Sequence, residues 1–141
     1  DVVYEPGTLK VVTLDHHEKP VATKEVKTAG KPYQIVLHPD RKTIQSDGKD
    51  LSFVTVSVVD KNGIECPTAT NQLTFKVTGN GIFKAVCNGD ATSLELFHLP
   101  TMKLFSGKLV VLVKADTKKG KIELQVKGKG LQSAKTTILS Q

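Results

Sequence analysis

The sequence contains no tryptophan and only two tyrosines, Tyr4 and Tyr33, so it is poor in the aromatic faces on which carbohydrate-binding surfaces usually depend. Arg41 is its single arginine among 20 basic residues. Nucleic-acid interfaces use the planar fork of arginine, and those for single strands add aromatic stacking. We therefore assign the formal charge of +6 to solvated lysines that protect sheet edges, and we reject nucleic acid as a partner.

Long apolar runs are also missing. The longest, residues 109–113, is far shorter than the roughly 20 residues that cross a bilayer, so no membrane span is predicted. The first residues have neither the basic start nor the apolar middle of a signal peptide, and there is no initiator methionine. We expect the chain to be a piece of a longer polypeptide.

Cysteine is scarce as well. Cys66 and Cys87 could form one disulfide, which the sequence leaves open, although two free thiols are favoured. This pair supplies too few ligands for a metal site. The histidines are scattered, and no Gly-x-Ser-x-Gly elbow or phosphate-binding glycine loop is present, so we predict no catalytic, cofactor or metal residues. The four histidines are His16, His17, His38 and His98.

What the sequence does contain is the alternation of β-strands. Apolar and polar residues alternate with a period of two in several short runs separated by glycine-containing turns. No segment shows a helical repeat. This pattern predicts an all-β immunoglobulin-like sandwich. The predicted strands cover residues 8–14, 21–28, 33–37, 51–60, 73–78, 109–113, 122–127 and 134–139.

The first three of these strands are too few for a sandwich of their own. We therefore interpret residues 1–38 as the last strands of a preceding immunoglobulin-like unit, and residues 39–141 as a complete sandwich. The segment His38-Pro39-Asp40-Arg41-Lys42 is predicted to be a hinge between them. Unpaired edges in residues 1–38 should cause self-association or strand swapping of the isolated chain.

Several short motifs, taken in order, resemble the C-terminal immunoglobulin-like domain of bacterial glycoside hydrolase family 2 enzymes, the β-galactosidase-like group. The N-terminal part of the chain resembles the closing strands of the domain that precedes this C-terminal domain in those enzymes. Residues 60–63 are also similar to invasin-type repeats of surface adhesins. The motifs of the C-terminal domain are Asp40-Arg41, Ser46-Asp47-Gly48-Lys49-Asp50-Leu51-Ser52-Phe53-Val54, Val59-Asp60-Lys61-Asn62-Gly63, Gly79-Asn80-Gly81, Asn88-Gly89-Asp90 and Phe105-Ser106-Gly107-Lys108. Those of the N-terminal part are Tyr4-Glu5-Pro6-Gly7-Thr8-Leu9-Lys10-Val11 and Thr28-Ala29-Gly30-Lys31-Pro32.

The resemblance implies that chemistry takes place in an upstream (β/α)8 barrel, where two glutamates act as acid/base and nucleophile in a retaining mechanism. No catalytic role is carried onto this chain. It implies an accessory, structural role beside the barrel and sandwich domains of the same polypeptide, with export to the periplasm or cell surface. Two alternatives stay open: an adhesin repeat and a carbohydrate-binding module.

A glycosidase that retains the configuration of the sugar needs two carboxyl groups about 5 Å apart, so the acidic residues are candidates for that chemistry. Asp47 and Asp50 precede a strand, where short acidic side chains accept hydrogen bonds from local backbone groups, so we assign them to a turn. Asp60 and Asn62 suit a hairpin with Gly63 in the left-handed region. The phenylalanines are expected in the core or between domains, and the apolar segment 91–107 is expected to cover one end of the sandwich or to dock on another domain.

Overall fold

The computed structural model describes residues 3–141, and within this range the chain forms strands and no helix. It follows that these residues contain no helix long and apolar enough to cross a membrane. The first two strands, β1 (Thr8–Leu14) and β2 (Pro20–Lys27), pair antiparallel as a separate hairpin. The two strands were predicted, and the polar residues 15–20 between them are typical of a hairpin turn.

The remaining nine strands form a two-layer sandwich, which confirms the predicted fold class. One sheet has the order β3-β5-β9-β7 and the other β4-β11-β10-β6-β8. The four-stranded sheet consists of β3 (Gln34–Pro39), β5 (Leu51–Val59), β9 (Lys108–Ala115) and β7 (Gly81–Cys87). The five-stranded sheet consists of β4 (Thr43–Ile44), β11 (Ala134–Ser140), β10 (Gly120–Gly128), β6 (Gln72–Gly79) and β8 (Thr101–Lys103).

Alternation along the central strands produces the core. Every second side chain of β5, β9 and β10 points between the sheets, where it is withdrawn from water. This burial stabilises the folded state by about 25 cal/mol of free energy per Å2 of apolar surface. The phenylalanines Phe75 and Phe83 stack there with ring centroids 6.1 Å apart. The buried apolar residues that alternate along the three strands are Val54, Val56, Val58, Leu109, Val111, Val113, Ala115, Ile122, Leu124 and Val126.

The third predicted strand lies in a different place from the one expected. β3 pairs with β5 along its whole length, and Ile35, opposite Val58, is buried in the core. The assignment of this strand to the preceding unit is therefore wrong, because its pairing partner is distant in sequence. The hinge is corrected too: Pro39 lies in β3, and Asp40 exchanges backbone and side-chain hydrogen bonds with Phe53.

Three strands of the sandwich were not identified from the sequence. β4 and β8 are only two and three residues long, and β7 contains a bulge between Phe83 and Ala85 that breaks the alternation. β8 lies within the apolar segment 91–107. There Met102 and Leu104 complete the core, whereas Leu94 and Phe97 are exposed. This segment therefore closes the sandwich on one side and presents apolar residues to the outside.

Candidate functional site

The carboxylates before β5 are occupied by turn hydrogen bonds. Asp47 accepts hydrogen bonds from the backbone N–H groups of Lys49 and Asp50, at 2.8 and 2.7 Å. Asp50 accepts one from the N–H of Gln45 at 2.8 Å and receives the guanidinium of Arg41 at 2.8 Å. The turn role assigned to Asp47 and Asp50 is thus confirmed, while the ion pair with Arg41 was not foreseen.

Asp40 plays a similar part on the neighbouring chain segment. Its carboxylate accepts hydrogen bonds from the N–H of Phe53 at 2.8 Å and from the buried hydroxyl of Ser52 at 3.1 Å. Ser52 also donates to the carbonyl of Arg41 at 2.8 Å. The motif Asp40-Arg41 therefore fixes the start of β5 against the end of β3. The sequence contained the Asp40-Arg41 motif, but nothing local to it shows that Asp40 bonds to Ser52 and Phe53.

Asp60 lies at the junction between the hairpin and the sandwich and is 3% exposed. Its carboxylate accepts hydrogen bonds from the N–H groups of Asn62 and Ile64 in the following turn, at 2.8 and 2.9 Å. The turn contains Gly63 at φ 79°, as predicted. A further bond comes from the N–H of Gly30, at 2.7 Å, in the linker between β2 and β3. The sequence contained no sign of this long-range contact.

These hydrogen bonds favour the charged form of the acids. Backbone N–H donors, that of Gly30 foremost, hold the pKa of Asp60 below its ordinary value. The N–H groups of Asp50 and Lys49 do the same for the pKa of Asp47. For Asp50, the N–H of Gln45 and then the guanidinium of Arg41 lower the pKa. A general acid at neutral pH needs the opposite shift of its pKa.

The histidines and cysteines do not converge. His16 and His17 lie in the exposed turn of the hairpin, while Cys66 is buried and Cys87 is exposed in the sandwich. Both thiols are free, as the sequence analysis favoured. Burial raises the pKa of the Cys66 thiol, and the charge of Asp60 adds to that shift. Residues 3–141 hold no group of three or more acidic, histidine or cysteine side chains arranged for a metal ion.

The two tyrosines also have structural partners. The hydroxyl of Tyr33 accepts a hydrogen bond of 2.7 Å from the side-chain amide of Gln132, and the ammonium group of Lys61 lies 5.4 Å from the centre of the Tyr33 ring. Tyr4, which is exposed, lies 3.4 Å from the hydroxyl of Thr28. The two rings thus belong to the junction with the hairpin rather than to a shared flat platform.

The hairpin presents an apolar face to solvent. In its register Leu9 is opposite Val26 and Val11 is opposite Lys24, so Leu9, Val11 and Val26 share one side, which we call the hairpin face. These three side chains are 57%, 58% and 60% exposed. The other side carries ion pairs of Glu25 with lysines. An isolated two-stranded ribbon with such a face lacks the layer that would bury it.

A groove of about 920 Å3 separates the base of the hairpin from one end of the sandwich. Leu9 and Val26 line it on the hairpin side, and Ile64 and Pro67 line it on the sandwich side. The hairpin is therefore attached to the sandwich through the linker around Gly30 while much of its apolar surface stays uncovered. This arrangement fits a connection between two packed units.

Comparison with known proteins identifies the sandwich. The family model described as glycoside hydrolase family 2 C-terminal domain 5 matches residues 35–137. The β-galactosidase BoGH2A of Bacteroides ovatus is 45% identical over 140 residues, which cover 99% of this chain and 16% of that protein. The chain thus spans about one sixth of this relative.

Solved structures agree with this assignment. A glycosyl hydrolase family 2 member from Bacteroides cellulosilyticus superposes with a TM-score of 0.93 at 32% identity, covering 99% of this chain and 18% of that one. A β-glycosidase from Bacteroides vulgatus gives a TM-score of 0.89, also at 32% identity, with coverage of 98% and 18%. The chain therefore belongs to the C-terminal domain 5 family of glycoside hydrolase family 2.

Proposed function

We propose that this chain is a non-catalytic accessory region of a longer glycoside hydrolase family 2 enzyme, one that resembles β-galactosidases and hydrolyses O-glycosidic bonds with retention. The observation that carries the proposal is the match of the sandwich to a C-terminal domain model, together with a β-galactosidase relative of which the chain covers 16%. Catalysis would take place in a barrel outside these residues, on two carboxyl groups that are not part of this chain.

The state of the acids within this chain supports a non-catalytic role. Asp47, Asp50 and Asp60 each accept hydrogen bonds from at least two backbone N–H groups, so each of these side chains has a local structural role. A carboxylate that must transfer a proton or attack a sugar needs an accessible oxygen and a pKa suited to the task.

The mechanical role follows from the hairpin face. Leu9, Val11 and Val26 would complete the core of the preceding immunoglobulin-like unit, since two strands alone cannot bury them. The linker around Gly30, tied to Asp60, would then hold the sandwich at a fixed position relative to that unit. In this way the sandwich would buttress the catalytic domains and influence their quaternary arrangement.

The test compares the full-length gene product with this 141-residue chain, using a chromogenic β-galactoside. We expect the full-length protein to hydrolyse it and the purified chain to have no activity above buffer. Circular dichroism must show a β-rich spectrum for the chain, so that inactivity is not the result of misfolding. Hydrolysis by the chain alone would refute the accessory role, and an inactive full-length protein would refute the β-galactosidase-like assignment.

The proposal includes export of the parent enzyme to the periplasm or the cell surface. Its support is the resemblance to exported family 2 enzymes and nothing within these residues. Reading the start of the full-length gene for a signal sequence, followed by cell fractionation and immunoblotting, tests it. A protein found in the cytoplasmic fraction alone would refute it.

A further inference from the structure

Over β5, β9 and β7, the outer side of the four-stranded sheet is largely apolar. Because directly opposed residues share a face, the register of β5, β9 and β7 gives three rows across that side of the sheet. All their members are exposed or half-buried. The rows, together called the outer face, are Leu51-Lys114-Ile82, Phe53-Leu112-Ala85 and Thr55-Val110-Cys87.

The other sheet provides the comparison. Its strands β6, β10 and β11 alternate in the same way, yet their outward side chains are polar except for Leu139. A sandwich with water on both sides should have two polar outer faces, whereas a strand that is apolar on both sides, such as β9, is typical of a sheet covered on both sides. The outer polar residues of the five-stranded sheet are Gln72, Thr74, Lys76, Thr78, Lys121, Glu123, Gln125, Lys127, Lys135 and Thr137.

Further exposed apolar residues lie beside this sheet. The carbonyl of Phe97 accepts a hydrogen bond from the N–H of Val86, so the segment 91–107 meets the free edge of β7 at Phe97. In this segment Phe97 is 54% exposed and Leu94 is 96% exposed. Ile82 and Phe53, on the outer face, are 51% and 44% exposed. An exposed apolar patch of this kind, with further exposed apolar residues near the edge strand of the same sheet, marks a contact surface.

The charges on this surface indicate what covers it. Among the residues of the three rows the only charged side chain is Lys114, and the exposed Lys84 lies in the bulge of β7. Two copies of this chain, each with a formal charge of +6, would bring lysines together across such a contact. A surface with an apolar centre and acidic residues at its rim is complementary instead.

Resting on the proposed function, we infer that the outer face and the Phe97 segment dock on another domain of the same long polypeptide, one that presents an apolar surface with an acidic rim. The Bacteroides ovatus relative has 84% of its length outside the matched region, since the match covers 16%. A covalently joined partner is present at high effective concentration, so a small patch suffices for stable docking.

Cys87 is a built-in probe of this contact. Its thiol is exposed in the third row of the outer face, whereas Cys66 is buried in the core, so maleimide should label Cys87 selectively in the isolated folded chain. We expect labelling of Cys87 in the full-length gene product, localised by peptide mass spectrometry, to be about tenfold slower or more, because the face must open before it reacts.

Two matched variants distinguish the loss of docking from unfolding and from the mere addition of a surface lysine. Phe53→Lys, on the outer face, should restore fast labelling of Cys87 in the full-length protein, whereas Leu139→Lys, at a residue equally exposed on the polar sheet, should leave it slow. Thermal unfolding of the isolated chain should be little changed by either substitution, which excludes unfolding as the cause.

Other outcomes would overturn the inference. Equal labelling rates in the isolated chain and in a full-length protein that hydrolyses the β-galactoside would refute the docking and leave the proposed function intact. Protection that appears in the isolated chain as its concentration rises would assign the face to a second copy. Slow labelling in a full-length protein without glycosidase activity would support the docking and count against the proposed activity.

Discussion

The carboxylate of Asp60 accepts a hydrogen bond of 2.7 Å from the backbone N–H of Gly30, thirty positions earlier in the chain. The same carboxylate accepts the N–H groups of Asn62 and Ile64 in the turn after β5. One buried group therefore joins the linker behind the hairpin to the turn of the sandwich. The Cys66 thiol, 3.6 Å from the Gly30 carbonyl, lies in the same junction.

We predict that Asp60→Asn loosens this junction. The amide keeps one oxygen but places an NH2 group against backbone N–H donors, which leaves a buried donor without a partner. The midpoint of urea unfolding should fall clearly, and the Gly30 amide should exchange its hydrogen faster. Asp116→Asn is the control, because exposed Asp116 accepts only local hydrogen bonds from its neighbour Thr117. Equal effects of the two substitutions would show that Asp60 has no special role.

Stability should decline in acid. The pKa values of Asp47, Asp50, Asp60 and Asp90 are all lowered in the folded chain. A lowered folded pKa means that the unfolded state binds protons first as pH falls. The free energy of unfolding should therefore be level near neutral pH and decrease below about pH 4, the ordinary range of aspartate. Urea titrations from pH 7 to pH 2 measure this, and a flat profile would contradict it.

Two glycines with similar backbone angles should respond very differently to alanine. Gly107 has φ 74° and Gly130 has φ 77°. A Cβ on Gly107 would overlap the carbonyl oxygen of Cys66, whereas one on Gly130 meets no atom within 4 Å. Gly130→Ala should cost about 1–2 kcal/mol for the left-handed conformation alone. Gly107→Ala should cost more by roughly 2 kcal/mol, since the backbone must move as well. Similar unfolding midpoints for the two variants would contradict the steric argument.

The sequence predicted those features that depend on neighbouring residues. The hairpin of β1 and β2 and the alternation in β5, β9 and β10 were recognised because both signals are local. The turn roles of Asp47 and Asp60 were recognised for the same reason.

Features that depend on distant partners were missed or misplaced. Ile35 belongs to the sandwich because it lies opposite Val58, and no pattern within β3 specifies that pairing. The contact of Gly30 with Asp60 likewise depends on the folded chain. The apolar run 109–113 was predicted to be a strand, but only the register of β5, β9 and β7 reveals that its second face is uncovered.

The last prediction concerns the hairpin face in the isolated chain. Leu9, Val11 and Val26 are more than half exposed, so two copies can bury these faces against each other at high concentration. Val11→Lys places a second lysine directly opposite Lys24 on this face, and the repulsion between the two charges together with the lost apolar surface should keep the chain monomeric. Sedimentation velocity over a wide concentration range should show self-association of the unchanged chain and its loss in the variant.

Val12→Lys is the matched control, because Val12 is the next residue of the same strand and points to the opposite side of the hairpin. This variant should associate like the unchanged chain. If the unchanged chain stays monomeric, the hairpin face does not drive association. If association survives Val11→Lys but is lost in Val12→Lys, the contact uses the opposite side of the hairpin, where Val12 and Val21 are exposed. If it survives both substitutions, the contact uses the free backbone edges of the hairpin, since edge pairing depends on N–H and C=O groups that a side-chain charge leaves in place.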